Sequence, residues 1–431
     1  MIERSVYLKK LIDRKHNGMV KVITGVRRCG KSVLLFELFF RHLITEGVSE
    51  KNIIKISLDS DDFAKLRSPL NLSKYIKERI NDSEYFYIFI DEIQFVKKIK
   101  NPDVEGDYIT FYDILNGLLS HKNLDIYITG SNSKMLSKDV LTEFRGRGDE
   151  VRVNPLSFKE FYSAKQGDKE AALNEYMLYG GMPAVVSRPS PETKISYLQN
   201  LFEETFLKDI VERNRIRDPH LLSAITNELC SATGSLTNPL NLANSINSST
   251  KRTRETQVNS NTVTSYLQHL EDAFIIKEAK RYDIRRKKYF SSSSKFYCVD
   301  VGLRNVRLNM RQNEETHIME NVVFNSLIQR GYNVDVGVLE SFKKVDGKST
   351  RINREIDFVV NKGNVQCYVQ SAFSMNTPEK QESELAPFNI VGNSFRKIVV
   401  TRNEIAPWYD DMGIYHIGLA DFLLAGDELF S

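Results

Sequence analysis

Apolar positions in this chain follow two rhythms. Short, nearly unbroken apolar runs stand near Val20, Ile53, Phe86, Ile126 and Val151, and stretches with apolar residues at helical spacing separate them, residues 33–43 among these. Continuous apolar runs of strand length suit parallel strands buried on both faces, and their alternation with helices predicts an α/β unit with a helix-covered parallel sheet. The unit is expected to run to about residue 165. Near its end, Ser157 and Glu160 stand at the spacing of a helix-opening capping box. A helical subdomain is expected over 166–228, broken by the turn Gly180-Gly181-Met182-Pro183, with Tyr197, Leu201, Phe206, Ile210 and Val211 at helical spacing.

From Leu236 the texture changes. Leu240, Leu242, Ala243 and Ile246 fit a short helix after Asn238-Pro239, and a polar stretch leads to a second helix over 262–270. An apolar strand at 273–276 and the basic run 281–290 then suggest a hairpin. Helix, turn, helix and β-ribbon are the order of a winged helix-turn-helix, expected over 229–294. In that reading Thr262, Ser265 and Gln268 face the major groove of duplex DNA, while Arg285, Arg286 and Lys287 on the wing neutralise phosphates. The alternative is a solvated basic hairpin in a domain that contacts protein.

The last segment, 295–431, mixes α and β. An amphipathic helix over 317–328 carries Glu320; a strand over 354–360 places Glu355 and Asp357 on one face; a Gly363-Asn364 turn leads to a strand over 365–372. This is the skeleton of a metal-dependent nuclease core, which wants a second carboxylate and a lysine two residues apart on its last strand. Gln370 and Ala372 stand there instead. An amide beside one carboxylate makes a poor Mg²⁺ site, so a degenerate, inactive core is expected. Activity would need a displaced lysine, such as Lys380.

Composition narrows this little. With 431 residues, 41% hydrophobic and 27% charged, the chain is of ordinary globular make-up. Sixty basic against 56 acidic residues give a net charge of only +4, so nucleic-acid affinity would come from local patches. Cys29, Cys230, Cys298 and Cys367 lack C-x-x-C spacing, which speaks for a reducing compartment. No apolar stretch has the length of a signal core or a membrane span, so a cytoplasmic location without a membrane partner is expected.

The sharpest chemistry lies between the first strand and its helix. Gly25-Val26-Arg27-Arg28-Cys29-Gly30-Lys31-Ser32 matches the phosphate-binding loop G-x-x-x-x-G-K-[ST], with Val33 opening the helix. Backbone N–H groups at such a helix start face anionic oxygens; Lys31 reaches the β/γ-phosphates and Ser32 offers its hydroxyl to Mg²⁺. The strand 85–90 ends in Asp91, placed for Mg²⁺, and Glu92, placed as general base. The strand 124–129 leads into Gly130, Ser131 and Asn132, where Asn132 or Ser131 is expected to sense the γ-phosphate or attacking water; a helix cap is the plain alternative. Arg145 and Arg147 offer guanidinium groups to the transferring phosphoryl, in cis or across a subunit interface; a solvated basic turn is the plain alternative.

Together these motifs resemble a prokaryotic family with an AAA-type ATPase domain, a winged helix and a C-terminal domain of unknown function 4143. The likeness spans essentially the whole chain and rests on the phosphate loop, Ile90-Asp91-Glu92-Ile93-Gln94, Thr129-Gly130-Ser131-Asn132, Pro155-Leu156-Ser157-Phe158, Gly180-Gly181-Met182-Pro183 and Glu355-Ile356-Asp357-Phe358. It implies a bacterial or archaeal cytoplasmic ATPase with a restriction-endonuclease-like C-terminal fold. ATP contacts would fall to Lys31 and Ser32, Mg²⁺ to Asp91 and the base to Glu92; Gln370 and Ala372 depart from an active nuclease pattern. The expected function is a nucleotide-dependent switch acting on DNA or a protein partner, with homo-oligomers allowed. The alternatives are an ATP-controlled endonuclease and a scaffold that binds ATP without hydrolysing it.

Overall fold

The computed structural model describes residues 2–130, 144, 146–249, 257–311, 314–345, 348–392 and 394–430, apart from the side chains of 204, 291, 292 and 341–352. The chain forms two compact units, Met1–Pro155 with Asp272–Phe274, and Leu156–Glu271 with Ile275–Ser431.

In the first unit, β1 (Val20–Thr24), β2 (Ile53–Ser57), β3 (Phe86–Asp91), β4 (Leu124–Thr129) and β5 (Gly148–Arg152) make a sheet of order β2-β3-β4-β1-β5. Every pairing is parallel. All residues of β1, β3 and β4 are buried, as largely apolar runs require, and the two charges among them, Lys21 and Asp125, pair with each other. The sheet is accompanied by α1 (Ser5–Ile12), α2, α3 (Pro69–Lys77) and α4 (Phe111–Leu118). Helix α2 runs through Lys31–Val33, a π-helical stretch Leu34–Phe39 and Phe40–Thr45. Leu72 and Ile76 of α3 and Leu115 and Leu118 of α4 pack with Ile56, Ile88, Ile90 and Ile126 of the sheet. Each such side chain contributes about 1.5–3 kcal/mol of hydrophobic stabilisation. Because the strands are parallel, the segments that follow Thr24, Asp91 and Thr129 all emerge at one edge.

The second unit opens with α5 (Phe158–Lys165), whose capping box is formed: Glu160 N–H donates to Ser157 Oγ (3.3 Å) and Ser157 N–H to Glu160 Oε2 (2.9 Å). Phe158 and Phe161 pack edge-on against Tyr176 of α6 (Lys169–Tyr179), with centroids 5.6 and 5.4 Å away. That packing places α5 in the second compact unit. Helix α7 follows (Pro191–Asn200, continuing through Leu201–Leu207 into Lys208–Asn214). Next come α8 (Pro219–Ser231), β6 (Leu236–Thr237), α9 (Pro239–Ser249), α10 (Ser260–Asp272), β7 (Ile276–Asp283) and β8 (Lys288–Cys298). Helices α11 (Val301–Arg307) and α12 (Glu315–Gln329) precede β9 (Asn333–Val345), β10 (Lys348–Lys362), β11 (Val365–Ala372), α13 (Pro378–Val391) and β12 (Arg396–Thr401). The chain continues through β13 (Trp408–Tyr409), β14 (Tyr415–Gly418) and α14 (Leu419–Leu424).

Among the described residues the nine strands of this unit form one sheet, β13-β14-β12-β11-β10-β9-β7-β8-β6. The hairpin expected in a winged-helix domain of its own (229–294) is thus continuous with the sheet of 295–431. The join is short: β7 meets β9 only where Arg281, Tyr282 and Asp283 pair with Val336, Gly337 and Val338. The turn Gly180-Gly181 is explained by Asp300. A Cβ on Gly180 would lie 2.1 Å from Asp300 Oδ1, and Gly181 N–H donates to Asp300 Oδ2 at 2.7 Å.

Candidate functional site

The phosphate-binding loop is built around a glycine that nothing can replace. Gly25 has φ +140°, and a Cβ there would lie 2.0 Å from the carbonyl oxygen of Val153. The loop closes on Gly30, φ +98°, which opens the helix at Lys31. Lys31 is buried, and its Nζ donates to Gly25 O (3.0 Å) and Val26 O (3.2 Å), so the ammonium is held by the loop's own carbonyls. Cys29 Sγ faces Val153 O at 3.4 Å, and Val26 and Cys29 are core residues; they serve the loop through backbone. A buttress invisible in the motif is Arg4. Its buried guanidinium donates to Cys29 O (3.0 Å) and Asn154 O (2.6 Å), tying the loop to the segment after β5.

Asp91 ends β3 and is buried. Burial pushes its carboxyl above the usual carboxylate range; hydrogen bonds from Thr129 and Ser32 oppose this, and the charges of Glu92 and Asp59 reinforce it. A carboxylate that is costly to ionise in isolation, beside the Ser32 hydroxyl, is a donor set that a hard dication satisfies. Thr129 bridges the two acids: its hydroxyl donates to Asp91 and accepts Glu92 N–H at 3.1 Å. Glu92 is left-handed, φ 52° and ψ 53°, a conformation costing a non-glycine residue about 1–3 kcal/mol and typical of functional sites. Gln94 Nε2 donates to its carboxylate. Arg27, Arg28, Gly30, Lys31, Ser32, Val33, Asp59, Asp91, Glu92 and Phe95 line one cavity of about 320 Å³. Arg4, Asp59, Phe95 and Thr129 were not singled out by sequence reasoning; the polar end of the strand 124–129 was the available signal for Thr129.

Asn132 and Arg145, with Ser131, lie outside the described residues. Arg147 lies away from the phosphate loop. Its carbonyl accepts Val20 N–H at 2.8 Å, and it precedes Gly148, the partner of Val20. It therefore stands at the start of β1, across the sheet from the loop that follows Thr24, about 13 Å away along the strand. Action on its own chain's phosphates is ruled out by that placement.

The expected nuclease-like residues do converge. Glu320 of α12 and Glu355 and Asp357 of β10 meet around a residue the sequence reading did not include, Lys295 of β8. Its Nζ lies 2.9 Å from Glu320, 2.7 Å from Glu355 and 3.8 Å from Asp357. Burial pulls the lysine down, but Glu320, Asp357 and Glu355 outweigh it and the net shift is upward. Burial and the Glu320 charge push Asp357 well up, against Lys295. Gln370 Oε1 accepts Asp357 N–H (3.2 Å) and its Nε2 donates to Glu384 (3.0 Å). Ala372 is packed in the core with Phe388. Lys380, the displaced lysine considered above, is exposed in the first turn of α13. Among the described residues, no group of three or more His, Cys, Asp or Glu is arranged to hold a metal ion.

The wing cations are less available than expected. Arg286 pairs with Glu340 through two hydrogen bonds (3.1 and 2.9 Å), and Arg285 reaches the carbonyls of Glu340 and Ile390 (both 3.4 Å). The cause is plain: the wing lies on the sheet that contains β9. Lys287 sits in the turn with φ 53°. On α10, Thr262 is engaged with Asn259 Oδ1 (2.8 Å from its N–H, 3.0 Å from its hydroxyl). Ser265 is exposed and its Oγ lies 3.4 Å from His269 Nε2, and Gln268 lines a groove that also contains Glu271 and Glu278.

A five-stranded parallel sheet of this order, with a phosphate loop after β1 and an acidic pair after β3, the strand next but one, is the fold of the AAA-type P-loop ATPases. The AAA domain family model matches residues 17–162, and a second model, a domain of unknown function (DUF8612), matches residues 170–314. The chain is 36% identical over 430 residues to an uncharacterized protein of Haemophilus influenzae, covering 98% of this chain and 99% of that one. It is 27% identical over 397 residues to the uncharacterized protein MJ1544 of Methanocaldococcus jannaschii, covering 88% and 79%. The chain belongs to the family of the Haemophilus protein. Similar solved structures include the Walker-type ATPase PABY2304 of Pyrococcus abyssi (16% identity, TM-score 0.49, 72% of this chain and 96% of that one). Another is the ORC1 protein of Aeropyrum pernix in complex with DNA (12% identity, TM-score 0.29, 72% and 93%). Among the described residues no helix is long and apolar enough to cross a membrane.

Proposed function

We propose that this protein binds and hydrolyses ATP, and that the nucleotide state switches its engagement of a macromolecular partner. The observation that carries the reading is the convergence of Lys31, Ser32, Asp91 and Glu92 on one cavity. Lys31 exchanges its loop carbonyls for the β/γ-phosphates, the loop N–H groups bind their oxygens, and Glu92 takes the proton of the attacking water. Ser32 and Asp91 would hold Mg²⁺, which supplies neutralisation of phosphate charge. Thr129 and Gln94 orient Glu92. Asn132 remains the proposed sensor, and Arg145 and Arg147 the proposed fingers, Arg147 acting only across a subunit interface.

The order α8, β6, α9, α10 and the β7–β8 hairpin supports a winged helix. Helix α12, the strands β9 to β11, α13 and then β12, parallel to β11, support a restriction-endonuclease-like core and the assignment to domain of unknown function 4143. Duplex DNA contact through Thr262, Ser265, Gln268, Arg285, Arg286 and Lys287 stays within the proposal. The engagement of Arg285 and Arg286 by the chain itself, and the carboxylates of the α10 groove, favour a protein partner over DNA. ATP turnover measured with and without duplex DNA, together with mass in solution at saturating nucleotide, tests the switch. Turnover unmoved by DNA, with DNA affinity indifferent to nucleotide, leaves the protein partner; failure to bind ATP at all would sink the whole reading.

A further inference from the structure

A restriction-endonuclease-like core implies a divalent cation between its helix acid and its strand acids. Here that space is taken. Lys295 is 5% exposed, and its Nζ lies 2.9 Å from Glu320 Oε1, 2.7 Å from Glu355 Oε1 and 3.8 Å from Asp357 Oδ1. An ammonium has three N–H donors, and three carboxylates face this one. Two of the oxygens also hold further donors. Tyr297 donates its hydroxyl to Glu320 Oε1 at 2.7 Å, and Ser371 N–H donates to Asp357 Oδ2 at 2.9 Å. Gly234, with φ +75°, closes the far side: a Cβ there would lie 3.1 Å from Glu320 Oε2. Mg²⁺ would need these same oxygens at about 2.0–2.1 Å, beside a buried monocation that they already hold. On the strand where a nuclease carries its second acid and lysine, Gln370 and Ala372 add no charge.

We propose that Lys295 is the resident cation of this cluster, standing in place of a divalent metal, and that the cluster is a metal-independent clamp joining β8, α12 and β10. The fold gives the clamp a purpose. Backbone pairing between the β7–β8 hairpin and the C-terminal strands extends over only three residue pairs of β7 and β9. Side chains add to this hold: the Lys295 cluster, the Arg286–Glu340 pair, Tyr289, whose hydroxyl donates to Asp335 Oδ2 at 3.0 Å, and Asn321, whose amide donates to Cys298 O at 2.7 Å. The lysine comes from β8 and not from β11, so the charge balance of the core was solved from the neighbouring hairpin.

The test compares full-length, nucleotide-free wild type with Lys295→Met, titrated with Mn²⁺ and read by electron paramagnetic resonance. The nucleotide site is common to both proteins and cancels. Lys295→Met should bind one more Mn²⁺ per chain than wild type, and Lys295→Met/Asp357→Asn should lose it. Lys295→Met should also melt lower by roughly ten degrees, as expected when one partner of a buried ion cluster is removed, and regain part of this with Mn²⁺. Should Lys295→Met not fold, Asp357→Asn alone decides: Mn²⁺ binding equal to wild type supports the clamp. Wild-type Mn²⁺ binding that falls in Asp357→Asn, or Mg²⁺-dependent plasmid cleavage abolished by it, overturns the proposal. So does a Lys295→Met protein that melts like wild type and binds no additional ion.

Discussion

Arg4→Met removes a guanidinium while keeping much of the apolar volume of its stem. Two bonds to buried carbonyls vanish, those at 3.0 Å to Cys29 O and 2.6 Å to Asn154 O, and both acceptors stay inside the protein. Hydrogen bonds to a charged donor contribute about 1.5–3 kcal/mol each, so the loss should be about 3–5 kcal/mol after partial relaxation. Because one acceptor belongs to the phosphate-binding loop itself, the loop should also populate its curled form less. If that fraction drops to about one in ten, nucleotide affinity falls about tenfold. Urea denaturation followed by circular dichroism gives the first quantity, and titration with a fluorescent ATP analogue gives the second. An unchanged midpoint and an unchanged dissociation constant would refute the reasoning; lost stability with intact affinity would make Arg4 a strut without influence on the site.

Asp300 should impose a pH dependence on stability. Burial pushes its carboxyl up to about 6 against hydrogen bonds from the N–H groups of Gly181, Leu303 and Gly302. Its folded value exceeds the unfolded value of about 3.9, so its contribution is fully present below that pH and is lost, to the order of 3 kcal/mol, as pH rises through about 6. In Asp300→Asn the urea midpoint should vary less between pH 4 and 6.5; an identical slope to wild type contradicts this. For the wing, replacing Arg285, Arg286 and Lys287 by Ala should lower the slope of log K against log salt for duplex DNA by about one unit, because two of the three cations already hold acceptors within the protein. A fall near three units would show that Arg285 and Arg286 leave Glu340 and Ile390 to bind phosphate.

The first unit was largely legible in the sequence because its signals are local. Residues 20–24, 86–91 and 124–129 are predominantly apolar runs, and such runs have few fates other than buried parallel strands; what they hide is the pairing of Lys21 with Asp125 inside the sheet. The phosphate loop demands particular residue types at fixed spacing, so Gly25, Lys31 and Ser32 could be placed in advance. Arg4 was not legible, since its partners are backbone carbonyls at Cys29 and Asn154, far away in sequence. Lys295 escaped for a related reason. The nuclease template looks for lysine two residues along the last core strand, whereas this ammonium stands at the first residue of 295–431, on a strand that continues the hairpin of the preceding domain. The exhausted charge of Arg286 depends on Glu340, 54 positions away, and no periodicity reports a pairing of that kind. Arg147 failed as a finger in cis because a motif's order says nothing about which end of a strand it occupies.

The central claim is that Glu92 performs the chemistry while Lys31 and its loop hold the nucleotide. Single-turnover hydrolysis of Mg²⁺-ATP by Glu92→Gln, measured beside its ATP dissociation constant, tests this most directly. The variant should bind ATP as wild type does and hydrolyse it slower on the order of 10²-fold or more, whereas Lys31→Ala should lose the binding itself. Glu92→Gln turning over ATP at the wild-type rate would contradict the account.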